Sequence, residues 1–123
     1  MNPDPDSSQP QAARPVRRVG MVIGLRPEFI DEYRRVHADG HPGVRDLLSK
    51  YHLRNFSIFL HQVAGRWLEF GYYEYHGENF EADMAALAAE PRNREWLMLC
   101  EPMQAPLDGE TGWAVMERVY FNP

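Results

Sequence analysis

The stretch EYRRVHADGHPGV, residues 32–44, spaces three chemically active side chains four residues apart: Tyr33, His37 and His41. On an α-helix this spacing places side chains on one face. Free imidazole has a pKa of about 6.5 and can take or give a proton at neutral pH. A phenol beside it can hydrogen-bond a substrate hydroxyl. The pattern predicts a proton-transfer site at Tyr33 and His37, and a partly buried histidine next to a core tyrosine is the alternative.

A metal site is the competing interpretation of the same spacing. His37 and His41 could share a zinc ion, but zinc requires three or four ligands. Gly40 and Pro42 are expected to break the helix here. The sequence also contains no HExxH pattern. We therefore predict that the protein has no metal.

Two further candidates lie in NREWLMLC, residues 93–100, after a break at Pro91. The flat apolar face of Trp96 suits the C–H face of a pyranose, and Glu95 can accept hydrogen bonds from sugar hydroxyls. A core position for Trp96 is the alternative. Cys100, the single cysteine, is interpreted as a small buried hydrophobic residue and not as a nucleophile. Solvated surface positions are expected for the remaining histidines, His52, His61 and His76.

The elements that must position these residues follow from hydrophobic periodicity. Residues 1–16, rich in Pro, Asp, Ser and Gln, are predicted to be a disordered tail before a single domain over 17–123. Strands are predicted at 17–25, 54–62, 66–76 and 113–121, and helical segments at 27–37, 44–51, 78–90 and 93–103. The order βαββαβ predicts an α+β, ferredoxin-like fold with a four-stranded antiparallel sheet and helices on one face. Aromatic residues on both sheet faces predict a homodimer of the dimeric α/β barrel type.

Composition narrows the function classes further. The net charge of −5 and the lack of a basic cluster argue against nucleic acid. No apolar run of about 18 residues occurs, so no membrane partner is expected, and a cytoplasmic location is the default. Phosphate-loop, dinucleotide and GxSxG motifs are missing, so we expect no cofactor.

Four segments resemble the L-rhamnose mutarotase family: EYRRVH, HPGV, NFSIFL and CEPMQAPLD with its ending MERVYFNP. The resemblance covers about residues 17–123. It implies a dimeric ferredoxin-like enzyme, without metal or organic cofactor, that interconverts the α and β anomers of L-rhamnose. It also implies that His37 is catalytic and that Tyr33 and Trp96 bind the sugar.

The sequence departs from this family at three positions. Phe56 replaces a substrate-contacting tyrosine, Glu95 replaces the first residue of an aromatic pair, and His41 replaces a tryptophan. Phe56 and Glu95 remain predicted substrate-binding positions, and they change the polar groups of the site. Such changes can discriminate strongly between sugars, because unpaired buried polar groups are costly.

The resemblance therefore implies a mutarotase for L-rhamnose or a related deoxy sugar or aldose, working by acid–base ring opening and closing. Two other functions remain open at this point. One is a cofactor-independent monooxygenase on the same fold, and the other is a non-catalytic module that binds a monosaccharide.

Overall fold

A twisted antiparallel sheet carries the helices on one of its faces. In the computed structural model, which describes residues 15–123, three long strands form this sheet. They are β1 (Arg17–Leu25), β2 (Leu53–Val63) and β3 (Arg66–Tyr75). β3 lies in the middle and pairs antiparallel with β1 and β2. Two short strands, β4 (Gln104–Ala105) and β5 (Ala114–Met116), pair with the other edge of β1.

Four helices connect the strands. They are α1 (Ile30–His37), α2 (Arg45–Lys50), α3 (Phe80–Ala89) and α4 (Pro91–Cys100). Short 3₁₀ turns precede α1 and follow α4. α3 begins where the Asn79 side chain accepts a hydrogen bond from the backbone N–H of Ala82 at 3.1 Å, a typical N-cap. Pro91 occupies the first position of α4, where its missing N–H is not needed.

Alternation along the strands separates a covered inner face from an outer face. On β1, Met21, Ile23 and Leu25 point inward and are buried. Apolar residues of all four helices pack on this inner face, so the hydrophobic core lies between the sheet and the helical layer. Nine of the buried residues form two clusters, with Val44, Leu47, Leu53, Tyr75 and Leu87 in one and Leu25, Tyr33, Cys100 and Met103 in the other.

The predicted α+β fold and the order of its long elements are confirmed. The C-terminal third of the chain differs most from the prediction. The last strand ends at Met116, and residues 117–123 have no regular structure. The short strand β4 lies in a segment predicted to be a loop, and α4 begins at Pro91 instead of residue 93. Most of the predicted tail lies outside the described residues.

The outer face of the sheet is exposed mainly along β2. Phe59 on β2 is 66% exposed there. Phe121 in the C-terminal segment 117–123 reaches this face, where the Arg18 guanidinium lies 4.2 Å from the centre of its ring. Val119 and Tyr120 in this segment are also exposed. Within residues 15–123, the model contains no helix with the length and apolar character that crossing a membrane requires.

Candidate active site

A cavity of about 810 Å³ lies between the inner face of the sheet and the helices. The sheet contributes its floor, and residues from all four helices and their connections form its walls. Four of the five predicted site residues line it: Tyr33, His37, Phe56 and Trp96. Its volume falls within the range of small-molecule sites. The fold therefore brings together side chains that are up to 63 positions apart in sequence (96 − 33).

His37 is the last residue of α1, and the helix fixes the orientation of its ring. Its Nδ1 lies 2.7 Å from the carbonyl oxygen of Tyr33, one helical turn earlier. A carbonyl can only accept, so Nδ1 must donate its proton there. In the neutral imidazole, Nε2 then carries the free lone pair. His37 is thus held as the tautomer that presents a base to the cavity it lines.

The surroundings of His37 favour its neutral form. Burial lowers its pKa from the ordinary value, the hydrogen bond to the Tyr33 carbonyl opposes this effect, and nearby Arg45 adds to the lowering. Arg45 also donates a hydrogen bond to the carbonyl oxygen of His37 at 3.1 Å. The imidazole is therefore predominantly unprotonated at neutral pH. A neutral base is the form that can remove a proton from a hydroxyl group.

Aromatic rings surround this imidazole. The Tyr33 ring stacks on it with centroids 4.0 Å apart, and Trp96 approaches edge-on with a centroid distance of 5.1 Å. Phe56 and Tyr73 stack on each other at 5.3 Å and line the cavity. Flat apolar walls with a few polar groups between them are suited to a small ring that carries hydroxyl groups.

Gly43, in the connection between α1 and α2, explains how Trp96 reaches the cavity. Its φ angle is +55°, a left-handed conformation that glycine adopts without strain. A Cβ atom at this position would lie 3.5 Å from the Trp96 ring. The HPGV segment therefore supplies a backbone surface against which Trp96 packs.

The hydroxyl of Tyr33 lies on the buried side of the site. It accepts a hydrogen bond from Nε2 of Gln104 at 3.3 Å. The carboxyl group of Glu69 on β3 also faces it, and burial together with this carboxyl group raises the pKa of Tyr33 well above its usual range. The phenol therefore keeps its proton throughout the physiological pH range.

Glu95, the fifth predicted site residue, lies elsewhere. It is exposed and lines a separate shallow groove that also contacts His41 and Trp96. The cavity is thus formed without the Glu95 carboxylate. Its role as a substrate-binding residue stays a prediction.

The structure also answers the question of the paired histidines. α1 ends at His37, so His41 is not on the same helical face, and its ring lies 6.1 Å from that of Trp96. Among the described residues, no three His, Cys, Asp or Glu side chains are grouped to hold a metal ion.

Cys100 is buried as predicted, and burial raises the pKa of its thiol to about 12. It is therefore not a thiolate at neutral pH. The expected surface positions are confirmed for His52, His61 and His76.

Sequence reasoning missed three buried polar residues near the site: Glu69, Asn93 and Gln104. The sequence pattern around Glu69 could have identified it. In RWLEFGYYEY it shares the inward-facing positions of the strand with Trp67, Gly71 and Tyr73. An acidic residue at an inward-facing position indicates a functional or paired carboxyl group. Asn93 and Gln104 lie in segments whose periodicity gave no comparable signal.

Fold and site together define a class of protein, a small α+β domain with a histidine-centred, aromatic-walled cavity for a small molecule. Comparisons with known proteins give the family. The family model described as L-rhamnose mutarotase matches residues 18–121. The chain is 31% identical over 86 residues to an L-rhamnose mutarotase of Lactiplantibacillus plantarum, covering 70% of this chain and 78% of that protein. The chain therefore belongs to the L-rhamnose mutarotase family.

A solved structure supports the fold. The crystal structure of an L-rhamnose mutarotase from Formosa agariphila matches with a TM-score of 0.64 over 87% of this chain and 99% of that one, at 16% sequence identity. Family membership makes the protein an isomerase of the mutarotase type, which interconverts the anomers of a sugar.

Proposed function

We propose that this protein interconverts the α and β anomers of L-rhamnose, or of a closely related deoxy sugar or aldose, with His37 as the acid–base residue. One observation carries the proposal. The hydrogen bond from Nδ1 to the Tyr33 carbonyl, together with a lowered pKa, leaves Nε2 as a neutral base at a cavity of suitable size. Uncatalysed mutarotation is limited by proton transfer, which is the step that such a base accelerates.

The proposed reaction moves one proton between two oxygens of the same carbon. Nε2 of His37 removes the proton from O1, a C1=O1 double bond forms, and the C1–O5 bond breaks with its electron pair remaining on O5. The imidazolium then gives that proton to O5. Rotation about the C1–C2 bond and reversal of these steps close the ring with either configuration. No redox change occurs, and every proton is accounted for.

Binding of the sugar is assigned to the cavity walls. Trp96 offers an apolar face for the ring, while Phe56 and Tyr73 line the same cavity. Tyr33 and Gln104 supply polar groups at the buried end. Glu95 is proposed to contact a hydroxyl only at the rim, because it lies outside the cavity.

The identity of the sugar rests on the names of the relatives, which are L-rhamnose mutarotases. Phe56 offers no hydroxyl for hydrogen bonding, so the site has one polar group fewer than a tyrosine would give it. A sugar lacking the matching hydroxyl would then bind without leaving a polar group unpaired. L-Rhamnose is the first substrate to test, followed by L-fucose, L-lyxose, L-mannose and D-glucose.

The test is proton NMR exchange between the two anomeric signals of each sugar. We expect exchange faster than in buffer for L-rhamnose or one related sugar. His37→Ala is expected to lower the rate roughly 10²- to 10⁴-fold, the usual contribution of general acid–base catalysis. His61→Ala is the matched control, because His61 is exposed and lies on the sheet away from the cavity. It should retain the wild-type rate.

An unchanged rate in His37→Ala would contradict the assignment of His37 as the acid–base residue. Binding without acceleration for every sugar would instead indicate a non-catalytic sugar-binding module. Oxygen consumption with a flat aromatic substrate, recorded with an oxygen electrode, would indicate a monooxygenase.

We also propose that the protein is a homodimer that packs outer sheet face on outer sheet face. The exposed face around Phe59 needs an apolar partner, and the adjoining C-terminal segment supplies exposed apolar side chains of its own, Val119 and Tyr120. One chain thus carries both halves of a self-complementary interface, as two-fold symmetry requires. The cytoplasmic location stays a prediction, which cell fractionation would test.

A further inference from the structure

Glu69 is a buried acid directly behind the proposed active site. It lies at the centre of β3, points to the inner face of the sheet, and is 0% exposed. Its neighbours across the sheet are apolar, with Ile23 on β1 and Leu60 on β2. A carboxyl group is rarely placed in such surroundings unless it has a specific partner or function.

No ordinary hydrogen bond satisfies this carboxyl group. Neither of its oxygens has a partner of normal geometry among the described residues. The Tyr33 hydroxyl and the Gln104 amide face it and partly offset the effect of burial, which nevertheless raises the pKa of Glu69 to about 7. Cys100 on α4 is the other titratable group nearby, and its thiol stays protonated. Glu69 is therefore the group of this cluster that changes its charge near neutral pH.

The Tyr33 hydroxyl has one proton to donate and two lone pairs. Gln104 already occupies one lone pair. When Glu69 is ionised, it can only accept, so it draws the Tyr33 proton toward itself and away from the cavity. When Glu69 is protonated, it can donate to the second lone pair, and the Tyr33 proton is then free to point toward a ligand in the cavity.

We propose that Glu69 is a positioning residue that decides whether the Tyr33 hydroxyl donates or accepts toward the bound sugar. This inference rests on the proposed mutarotase function. His37 already provides the base that removes the O1 proton, so the role left for Tyr33 is to donate a hydrogen bond to an oxygen that becomes negative as the ring opens. That role requires the protonated form of Glu69.

A specific pH profile follows. The rate rises with pH as His37 loses its proton, at a pKa below the ordinary histidine value. It then falls as Glu69 ionises, with a midpoint near its pKa of about 7. The fall in kcat/KM between the optimum and pH of about 8.5 is expected to be roughly thirtyfold, because about one Glu69 in thirty stays protonated about 1.5 pH units above its pKa and the lost hydrogen bond to a developing negative charge is worth more than that.

Glu69→Gln tests this profile. The side-chain amide of glutamine stays neutral and can donate to the Tyr33 oxygen at every pH, so we expect the alkaline fall to disappear and the variant to exceed the wild type at high pH. Tyr33→Phe should also lack the fall, at a lower overall rate. Glu74→Gln is the matched control on the outer side of the same strand and should keep the wild-type profile. An alkaline fall that persists in Glu69→Gln, even with a lower rate at all pH values, would overturn the proposal.

A second measurement separates this inference from the proposed function. The titration of the Glu69 side-chain carboxyl carbon by ¹³C NMR needs no catalytic activity. We expect a midpoint near 7 in the wild type and a higher one in Tyr33→Phe, because the phenol helps to stabilise the carboxylate. A midpoint that does not move in Tyr33→Phe would show that the two groups are not coupled. A wild type that fails to exchange anomers would remove the mutarotase function while this titration still reports on the coupling.

Discussion

Two ionisable residues of the site, His37 and Glu69, have pKa values shifted in opposite directions by the same cause. Burial disfavours whichever form is charged, so it lowers the pKa of an imidazole and raises that of a carboxyl group. His37 thereby becomes a neutral base, and the pKa of Glu69 rises to about 7. Both shifts depend on the contacts of the inner face, where helix α1 meets strand β3.

The burial of Glu69 also affects stability, and this gives a prediction. Below about pH 4.5 its carboxyl group is protonated in the folded and unfolded chain alike. Between that pH and about 7 only the unfolded chain releases the proton, so stability falls by about 3 kcal/mol, the equivalent of the pKa difference. Glu69→Gln should therefore be more stable than the wild type at pH of about 8, and similar to it at about 4, as measured by urea unfolding.

Glu74 on the outer face is a control, because its carboxyl group is expected to change the stability with pH in the opposite direction. Hydrogen bonds from His76, Tyr72 and Asn55 lower the pKa of its carboxyl group to about 2. The stability that this carboxylate contributes is present above the ordinary glutamate pKa and is lost as the pH falls toward 2. Glu74→Gln should then be less stable than the wild type at neutral pH. A stability gain for both variants, or for neither, would contradict this assignment of signs.

At the scale of elements, the connection between α1 and α2 positions Trp96 and gives a second prediction. Gly43 has a left-handed φ of +55°, and a Cβ atom at this position would lie 3.5 Å from the Trp96 ring. Gly43→Ala is expected to lower the free energy of unfolding by about 1 kcal/mol, the usual penalty for a side chain in this conformation. It should also raise KM, because the chain that supports Trp96 is strained.

Gly40 is the control within the same connection. Its φ is not positive, and a Cβ atom there would meet nothing within 4 Å. Gly40→Ala should leave KM unchanged and leave stability equal or slightly higher, since alanine restricts the unfolded chain. Equal losses in the two variants would mean that the φ angle of Gly43 is not what matters. Urea unfolding and anomer-exchange kinetics provide both readouts.

The elements also show how far periodicity predicts this structure. β1 to β3 and the helices around His37 and Leu87 follow from apolar spacing, because each buries one regular face. The segment WAVMERVYF alternates like a strand, yet only Ala114–Met116 pairs, since β1 offers residues 20–22 to it and residues 24–25 to β4. Such a division of an edge depends on tertiary pairing and is invisible in local sequence.

The candidate site was also predicted only in part from the sequence. The four-residue spacing of Tyr33 and His37 predicted that they share one helical face, and their rings do lie together there. The two residues that face the Tyr33 hydroxyl are Glu69 on β3 and Gln104 on β4. Local sequence spacing could not predict that they lie next to α1. The exposed position of Glu95 follows from helix geometry: adjacent residues on a helix point in different directions, so Glu95 and Trp96 cannot both face the cavity.

At the scale of the whole molecule, the two sheet faces have different tasks. The inner face forms the cavity with the helices, and the outer face leaves the Phe59 ring largely exposed to solvent. A large exposed apolar surface on a small protein usually marks an interaction site. Because the cavity does not use the outer face, association through that face would leave the proposed chemistry intact.

A substitution at Phe59 tests this association. Phe59 is 66% exposed on the outer face, so the folded monomer should tolerate a glutamate at this position. The glutamate would nevertheless place a charge in the proposed interface. We expect light scattering after size exclusion to give twice the chain mass for the wild type, and Phe59→Glu to weaken dimerisation by roughly a hundredfold. Met98→Glu is the control, because Met98 is 76% exposed on α4 in the helical layer. It should remain dimeric. Dissociation by Met98→Glu alone would place the interface on the helices, and a monomeric wild type would contradict the homodimer.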